Sequence, residues 1–309
     1  MRDPPKRRRQ MAYDAAIAIF KINEMKTIVF ANHKGGCGKT TSTLNVADGL
    51  SREGFSVLVI DMDPQSNTTR MLIGLDGIQP TTNIKDVLLA KDGKEAIKTA
   101  IIYQTAIRNV HLIPSTLRLA AIENELLRVS TLRSPCTYLR KCLPAIEENY
   151  DFCLIDVPPA LSTLTGNALF AANYVIVPFS AGDRYGFEGV TDLVAYIRDA
   201  QEQDVNPELS ILGAVVLNFN TQEIAHAMTE RAISDHFDVL GKIPRSAAIQ
   251  KSSIEGKTVL QAERGSAAAR AFVQLTRTLV EKTGAKLRRD TKKGSNLVSK
   301  KGKKGEARG

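Results

Sequence analysis

An apolar run, Thr27-Ile28-Val29-Phe30-Ala31-Asn32, gives onto a glycine-rich turn, Lys34-Gly35-Gly36-Cys37-Gly38-Lys39-Thr40-Thr41, and then onto the helical spacing of Leu44, Val46, Ala47 and Leu50. No other stretch narrows the possible folds as much. A strand that hands over to a helix through glycines aims the loop's N–H groups and the first N–H groups of the helix at one point, where an anion such as phosphate fits. In such a loop Lys39 reaches the β- and γ-phosphates of a nucleotide and the Thr40 hydroxyl takes Mg²⁺. The spacing departs from the general pattern. Position 33, where a glycine is expected, holds His33, and an additional lysine stands at 34.

Two further apolar runs end in acids: Val57-Leu58-Val59-Ile60-Asp61-Met62-Asp63-Pro64-Gln65 and Phe152-Cys153-Leu154-Ile155-Asp156-Val157-Pro158-Pro159. From Met25 onward, short β-branched runs alternate with amphipathic patterns, which predicts an α/β fold with a mostly parallel, twisted sheet of about seven or eight strands and helices on both faces. Strands are expected at 26–32, 56–61, 109–113, 151–156, 174–178, 210–217 and 239–243. Helices are expected at 39–53, 83–90, 93–101, 116–129, 137–149, 164–172, 187–203, 222–236 and 265–282. Ligands of such sheets bind at the carboxyl ends of the strands. Lys39, Asp61, Asp63 and Asp156 all fall there, with Asp61 and Asp63 expected on one side because they are two residues apart.

The loop from Lys34 to Thr41 resembles the deviant Walker A motif of the ParA/MinD ATPases, a branch of the P-loop NTPases with a signature lysine early in the loop. The two acid-ended runs resemble that family's second acidic motif and its Walker B strand, and the likeness extends over residues 26–282. It implies ATP and Mg²⁺ as cofactors and a Mg-dependent ATP hydrolase. Lys34, Gly35, Gly36, Cys37, Gly38, Lys39, Thr40 and Thr41 would hold the nucleotide. Thr40, Asp61 and Asp156 would surround the metal, Asp156 through water, and Asp63 would place the attacking water. Lys34, Lys39 and Asp63 would form the catalytic set, with Lys34 reaching across a face-to-face homodimer to the partner's nucleotide. Asn218, Pro244 and Arg245 match adenine-contacting positions, and 161–169 matches the segment that senses the γ-phosphate. The family's partners would be non-specific DNA and a ParB-like centromere-binding protein, in the segregation of a plasmid, chromosome or mobile element. Two departures stand out. The segment 179–186 is one residue longer than in many relatives, and Ala248 replaces a basic DNA-contacting residue. Lys251, Lys257, Arg264, Arg270 or the C-terminal tail are the candidate replacements.

Charge divides the chain further. The net charge is +9, yet residues 1–10 carry five basic groups against one acid and residues 283–309 carry ten against two. The body between them is slightly acidic, and both ends are expected to be disordered. The expected organisation is an extension at 1–24, an ATPase domain at 25–282 and a tail at 283–309. Such ends suit a polyanion, nucleic acid most simply. For the N-terminal end a bland reading stands equally, since Met25-Lys26-Thr27 would itself make a natural start. No apolar run approaches the length of ~18 residues that marks a membrane span. The charged bounds Asp14 and Lys21 argue against a signal peptide, so a cytoplasmic protein is expected, and the resemblance to the partition ATPases implies a nucleoid-associated one. The cysteines Cys37, Cys136, Cys142 and Cys153 show no metal spacing and are expected to be reduced thiols. A MinD-like membrane ATPase would need a terminal amphipathic helix, and the tail offers Leu287, Leu297 and Val298 among lysines and glycines. An iron–sulfur relative would need cysteines in Asp156–Ala160, which has none. A scaffold without turnover is disfavoured by Asp63.

Overall fold

The computed structural model describes residues 24–74, 80–129, 134–182, 188–202 and 205–287. Seven strands, β1 (Lys26–Phe30), β2 (Val57–Asp61), β3 (Val110–Ile113), β4 (Phe152–Asp156), β5 (Tyr174–Ser180), β6 (Ser210–Phe219) and β7 (Val239–Pro244), form one sheet in the order β3-β2-β4-β1-β5-β6-β7. Every pairing within it is parallel. All seven lie where the β-branched runs predict them. The central strands are apolar throughout because helices cover both faces, and VLVID of β2 is buried at every position.

The helices are α1 (Lys39–Arg52), α2 (Asn67–Ile73), α3 (Ile84–Leu89), α4 (Gly93–Thr99), α5 (Ile122–Val129), α6 (Tyr138–Cys142), α7 (Thr163–Ala171), α8 (Glu188–Glu202), α9 (Ile224–Ser234), α10 (Ala247–Ile254), α11 (Val259–Ala262) and α12 (Ala267–Thr283). Alternation along β1 sorts them into two layers. Ile28 and Phe30 pack with Leu44, Leu50, Phe272 and Leu275 of α1 and α12. Val29 and Ala31 pack with Leu88, Leu139, Leu169 and Leu193 of α3, α6, α7 and α8. At one crossing α1 and α12 nearly touch: a β-carbon on Gly49 would stand 2.2 Å from Thr276 Oγ1, so only glycine fits.

Three helices were not legible. α2 opens on Asn67-Thr68-Thr69, weak helix formers without apolar periodicity, while α10 and α11 are short and held by their caps, Ser246 and Thr258. The single helix expected at 137–149 is instead α6 followed by two 3₁₀ turns, Leu143–Ala145 and Glu147–Asn149. Pro144 has no N–H to continue the ladder and ends the helix. Likewise the helix expected from 116 starts with a 3₁₀ turn, Leu117–Ala121, and becomes α-helical at Ile122. Most of the N-terminal extension, nearly all of the tail, and residues 183–186 of the lengthened loop lie outside the described residues.

Candidate functional site

The loop after β1 is built to leave donors unspent. Gly38 precedes α1 with φ +94°, in the left-handed region, and a β-carbon there would stand 2.5 Å from Leu217 Cδ2. Both conformation and space therefore require glycine at 38. The start of α1 has no side-chain cap and no acid in its first turn, so its orphan N–H groups and its dipole are open to an anion. Above it, a β-carbon on Gly35 or Gly36 would meet nothing within 4 Å, which leaves the mouth of the loop clear.

Lys39 is buried, and its Nζ donates to the carbonyls of Lys34 at 2.8 Å and Asn32 at 3.0 Å. The loop's own backbone thus positions the ammonium across the turn. Asn32 braces this arrangement by accepting from Lys34 N on Oδ1 at 3.0 Å and donating from Nδ2 to Pro178 O at 2.8 Å, which ties the end of β1 to β5. The Cys37 thiol donates to Lys34 O at 3.2 Å, and burial pushes its pKa up, so it packs as a thiol. All four cysteines are free. Lys34 itself is half-buried.

Register brings the acids together. Asp61 and Asp156 are paired positions at the ends of β2 and β4. Asp156 Oδ2 accepts from both Thr40 Oγ1 and Thr68 Oγ1 at 2.7 Å, whereas its Oδ1 is buried with no hydrogen-bond partner. An orphaned carboxylate oxygen beside a threonine hydroxyl at the head of the loop is the donor set a hard, oxygen-loving cation takes. Asp61 is turned inward. Its Oδ2 accepts from Thr69 N at 2.8 Å and Thr69 Oγ1 at 2.7 Å, and its Oδ1 from Asp63 N at 3.0 Å. Burial raises the pKa of both carboxyls, and for Asp61 the neighbouring Asp156 raises it further. A cation between them would relieve that cost.

Asp63 lies past the end of β2, so a turn rather than strand alternation sets its direction. Its Oδ1 accepts from Gln65 N at 2.8 Å, its carbonyl from Ser115 Oγ at 2.7 Å, and Ser66 in the same turn has φ +54°. A serine in the left-handed region is uncommon and holds this corner in one shape. Sequence reasoning missed Asn32, Thr68, Thr69 and Ser115, all of which orient site residues. The hydroxyl-rich Ser66-Asn67-Thr68-Thr69 after Pro64 is the helix-start signal that could have found two of them.

The positions matched to adenine contacts stand at the far side of the loop. Leu217, which walls Gly38, is followed by Asn218 at φ +58°, and β6 slips register against β7 between Val216 and Phe219, where Phe219 then pairs with Pro244. The slip places Asn218, Pro244 and Arg245 at adjacent strand ends. Asn218 and Arg245 are exposed, and Asn218 Nδ2 donates to Ser180 Oγ at 3.2 Å. A cleft of about 680 Å³ also opens from Thr40 and Thr41, between α1, α2 and α10, with Leu44, Asn67, Met71 and Ser253 in its walls. Among the replacements for Ala248, Lys251 pairs with Glu263 at 2.7 Å and Lys257 with Glu255 at 3.3 Å, so part of that charge is matched locally.

Residues 25–211 match the family model described as an AAA domain. The chain is 32% identical over 264 residues to the chromosome-partitioning ATPase Soj of Treponema pallidum, covering 84% of this chain and 98% of that protein. It is 32% identical over 267 residues to the chromosome partitioning protein ParA of Caulobacter vibrioides, covering 84% and 96%. Among solved structures it is similar to cobyrinic acid a,c-diamide synthase from Mycobacterium smegmatis with bound ADP and magnesium, at 27% identity and TM-score 0.68 over 83% of this chain and 94% of that one.

Proposed function

The chain belongs to the AAA-domain family of P-loop ATPases that includes the Soj and ParA partitioning proteins, and from that premise we propose that it is a ParA-like, Mg-dependent ATP hydrolase that pairs on binding ATP, binds DNA without sequence preference and moves a DNA cargo with a ParB-like partner. The observation that carries the reading is the convergence of the uncapped start of α1, the loop-held Lys39 ammonium and the carboxylates of Asp61, Asp63 and Asp156.

Each side chain has a task in phosphoryl transfer, which asks chiefly for positioning and charge. The N–H groups from Gly35 to Thr41 bind the phosphates. Lys39 neutralises charge on the oxygens of the group being transferred. Thr40 and Asp156 would hold Mg²⁺, which would supply positive charge to the phosphates, and Asp61 would stand behind them in the shell. Asp63, fixed by its turn, accepts a hydrogen bond from the attacking water and orients it. Asn218, Pro244 and Arg245 border the base. Lys34 contacts the partner's nucleotide across the pair. A contact that exists only between two ATP-loaded subunits stabilises the pair before hydrolysis and not after it, as a switch requires.

Light scattering with and without ATP tests the pairing. The chain should be a monomer alone and a dimer with Mg·ATP, and Lys34→Ala should stay monomeric while still binding ATP. A Lys34→Ala protein that dimerises as the parent does would refute the cross-subunit role.

A further inference from the structure

We infer that His226 is a positioning residue for nucleotide recognition: it fixes the turn after β6 that walls the phosphate loop with Leu217 and borders the base with Asn218. The inference rests on the reading of Asn218 as a border of the base and goes beyond it, to the group that holds Asn218 there.

The turn leaves its strand under constraint. Asn218 stands at φ +58°, a conformation uncommon for a residue with a side chain, so its neighbours must hold it. On one side Leu217 O accepts from Ala181 N at 2.8 Å, and on the other Phe219 O accepts from Arg245 N at 3.0 Å. The next amide, Asn220 N, donates to Nδ1 of His226 at 2.9 Å. His226 is buried in the first turn of α9, so water does not readily replace it as the acceptor.

The ring is itself held in one orientation. Because Asn220 N is a donor, Nδ1 is the bare nitrogen and the proton sits on Nε2. Nε2 lies 2.9 Å from Glu223 Oε2, while Glu223 Oε1 accepts from Asn220 Nδ2 at 2.9 Å. Phe219 flanks the ring, with centroids 6.2 Å apart. From β5 the chain closes in at Gly182 (φ +78°), where a β-carbon would stand 2.9 Å from Nε2, so both conformation and space require glycine there. His226 thus joins the ends of β5 and β6, where Asn218 Nδ2 also donates to Ser180 Oγ at 3.2 Å.

A group so placed governs recognition rather than chemistry. Asn220, Glu223, Phe219 and Gly182 follow β5 and β6, whereas Asp61, Asp63 and Asp156 follow β2 and β4, across β1 in the sheet. Loosening the turn therefore weakens the hold on the base and leaves the transfer step as it was.

Steady-state turnover of ATP and GTP by the full chain tests this with two polar substitutions. His226→Asn keeps an oxygen where Nδ1 accepts, whereas His226→Gln places its amide at Nε2 and leaves Asn220 N without that acceptor. His226→Gln should raise the KM for ATP about fivefold, with kcat within about twofold, the scale of one unmade hydrogen bond in binding alone. Its preference for ATP over GTP should narrow. His226→Asn should stay near the parent in all three. A parental KM and preference in His226→Gln, or equal losses in both variants, would overturn the inference. So would a fall in kcat with KM unchanged, which would place the histidine in the transfer step. Asn218→Ala separates the inference from the reading beneath it. If that variant narrows the preference and His226→Gln does not, the base reading stands and the inference falls. If neither narrows it, Asn218 does not border the base and both fall.

Discussion

The two sides of the phosphate loop are built to different tolerances. On the side of β1, β2 and β4, the functional groups are buried and braced: Lys39 by two carbonyls, Asp61 by three donors, and Asp156 by two hydroxyls. On the side of β6 and β7, Asn218 is exposed with one long hydrogen bond, and the strands slip register. The difference follows from the chemistry. Moving a phosphoryl group demands atoms fixed in place before the reaction. Residues that only border a ligand or supply surface charge need no such fixing, since many arrangements serve.

The largest expected effect breaks the braced side outright. Lys39→Ala removes the one buried ammonium in the loop and should abolish ATP binding in calorimetry, with the fold intact by circular dichroism. Measurable affinity near that of the parent would mean that the loop N–H groups suffice. An intermediate effect sharpens the contrast. Thr68→Val takes one of two donors from Asp156 while keeping the shape of the side chain. It should cost about 1–3 kcal/mol of stability as the penalty on a buried carboxylate, read from denaturant melts, together with a higher Mg²⁺ requirement for turnover. The smallest effect lies on the loose side. Asn218→Ala should weaken ATP binding only severalfold, since an exposed hydrogen bond is worth about 0.5–1.5 kcal/mol. A loss as large as that of Lys39→Ala would show that the two sides are equally strict.

What could be read from the sequence follows the same division. The seven strands were legible because a parallel sheet covered on both faces needs continuous apolar runs, and Val57–Ile60 and Phe152–Ile155 are such runs. Asp61 and Asp156 were legible because each closes its apolar strand. The bracing was not. Thr68, Thr69, Ser115 and Asn32 are ordinary polar residues locally, and their partners lie far away in the chain, as with Thr68 and Asp156, 88 positions apart. Nor could alternation place Asp63, because the strand stops at Asp61 and an Asp-Pro turn takes over.

The close crossing of α1 and α12 at Gly49 and Thr276 bears on how the molecule is made. The helix that presents the phosphate site emerges early from the ribosome, but one of its walls is contributed by residues 267–283, more than two hundred positions later. Until that last helix arrives, Leu44 and Leu50 lack Phe272 and Leu275 beside them, and the last turn of α1 lacks the helix it crosses at Gly49. A chain cut before residue 267 should therefore hold α1 less firmly than the full chain does.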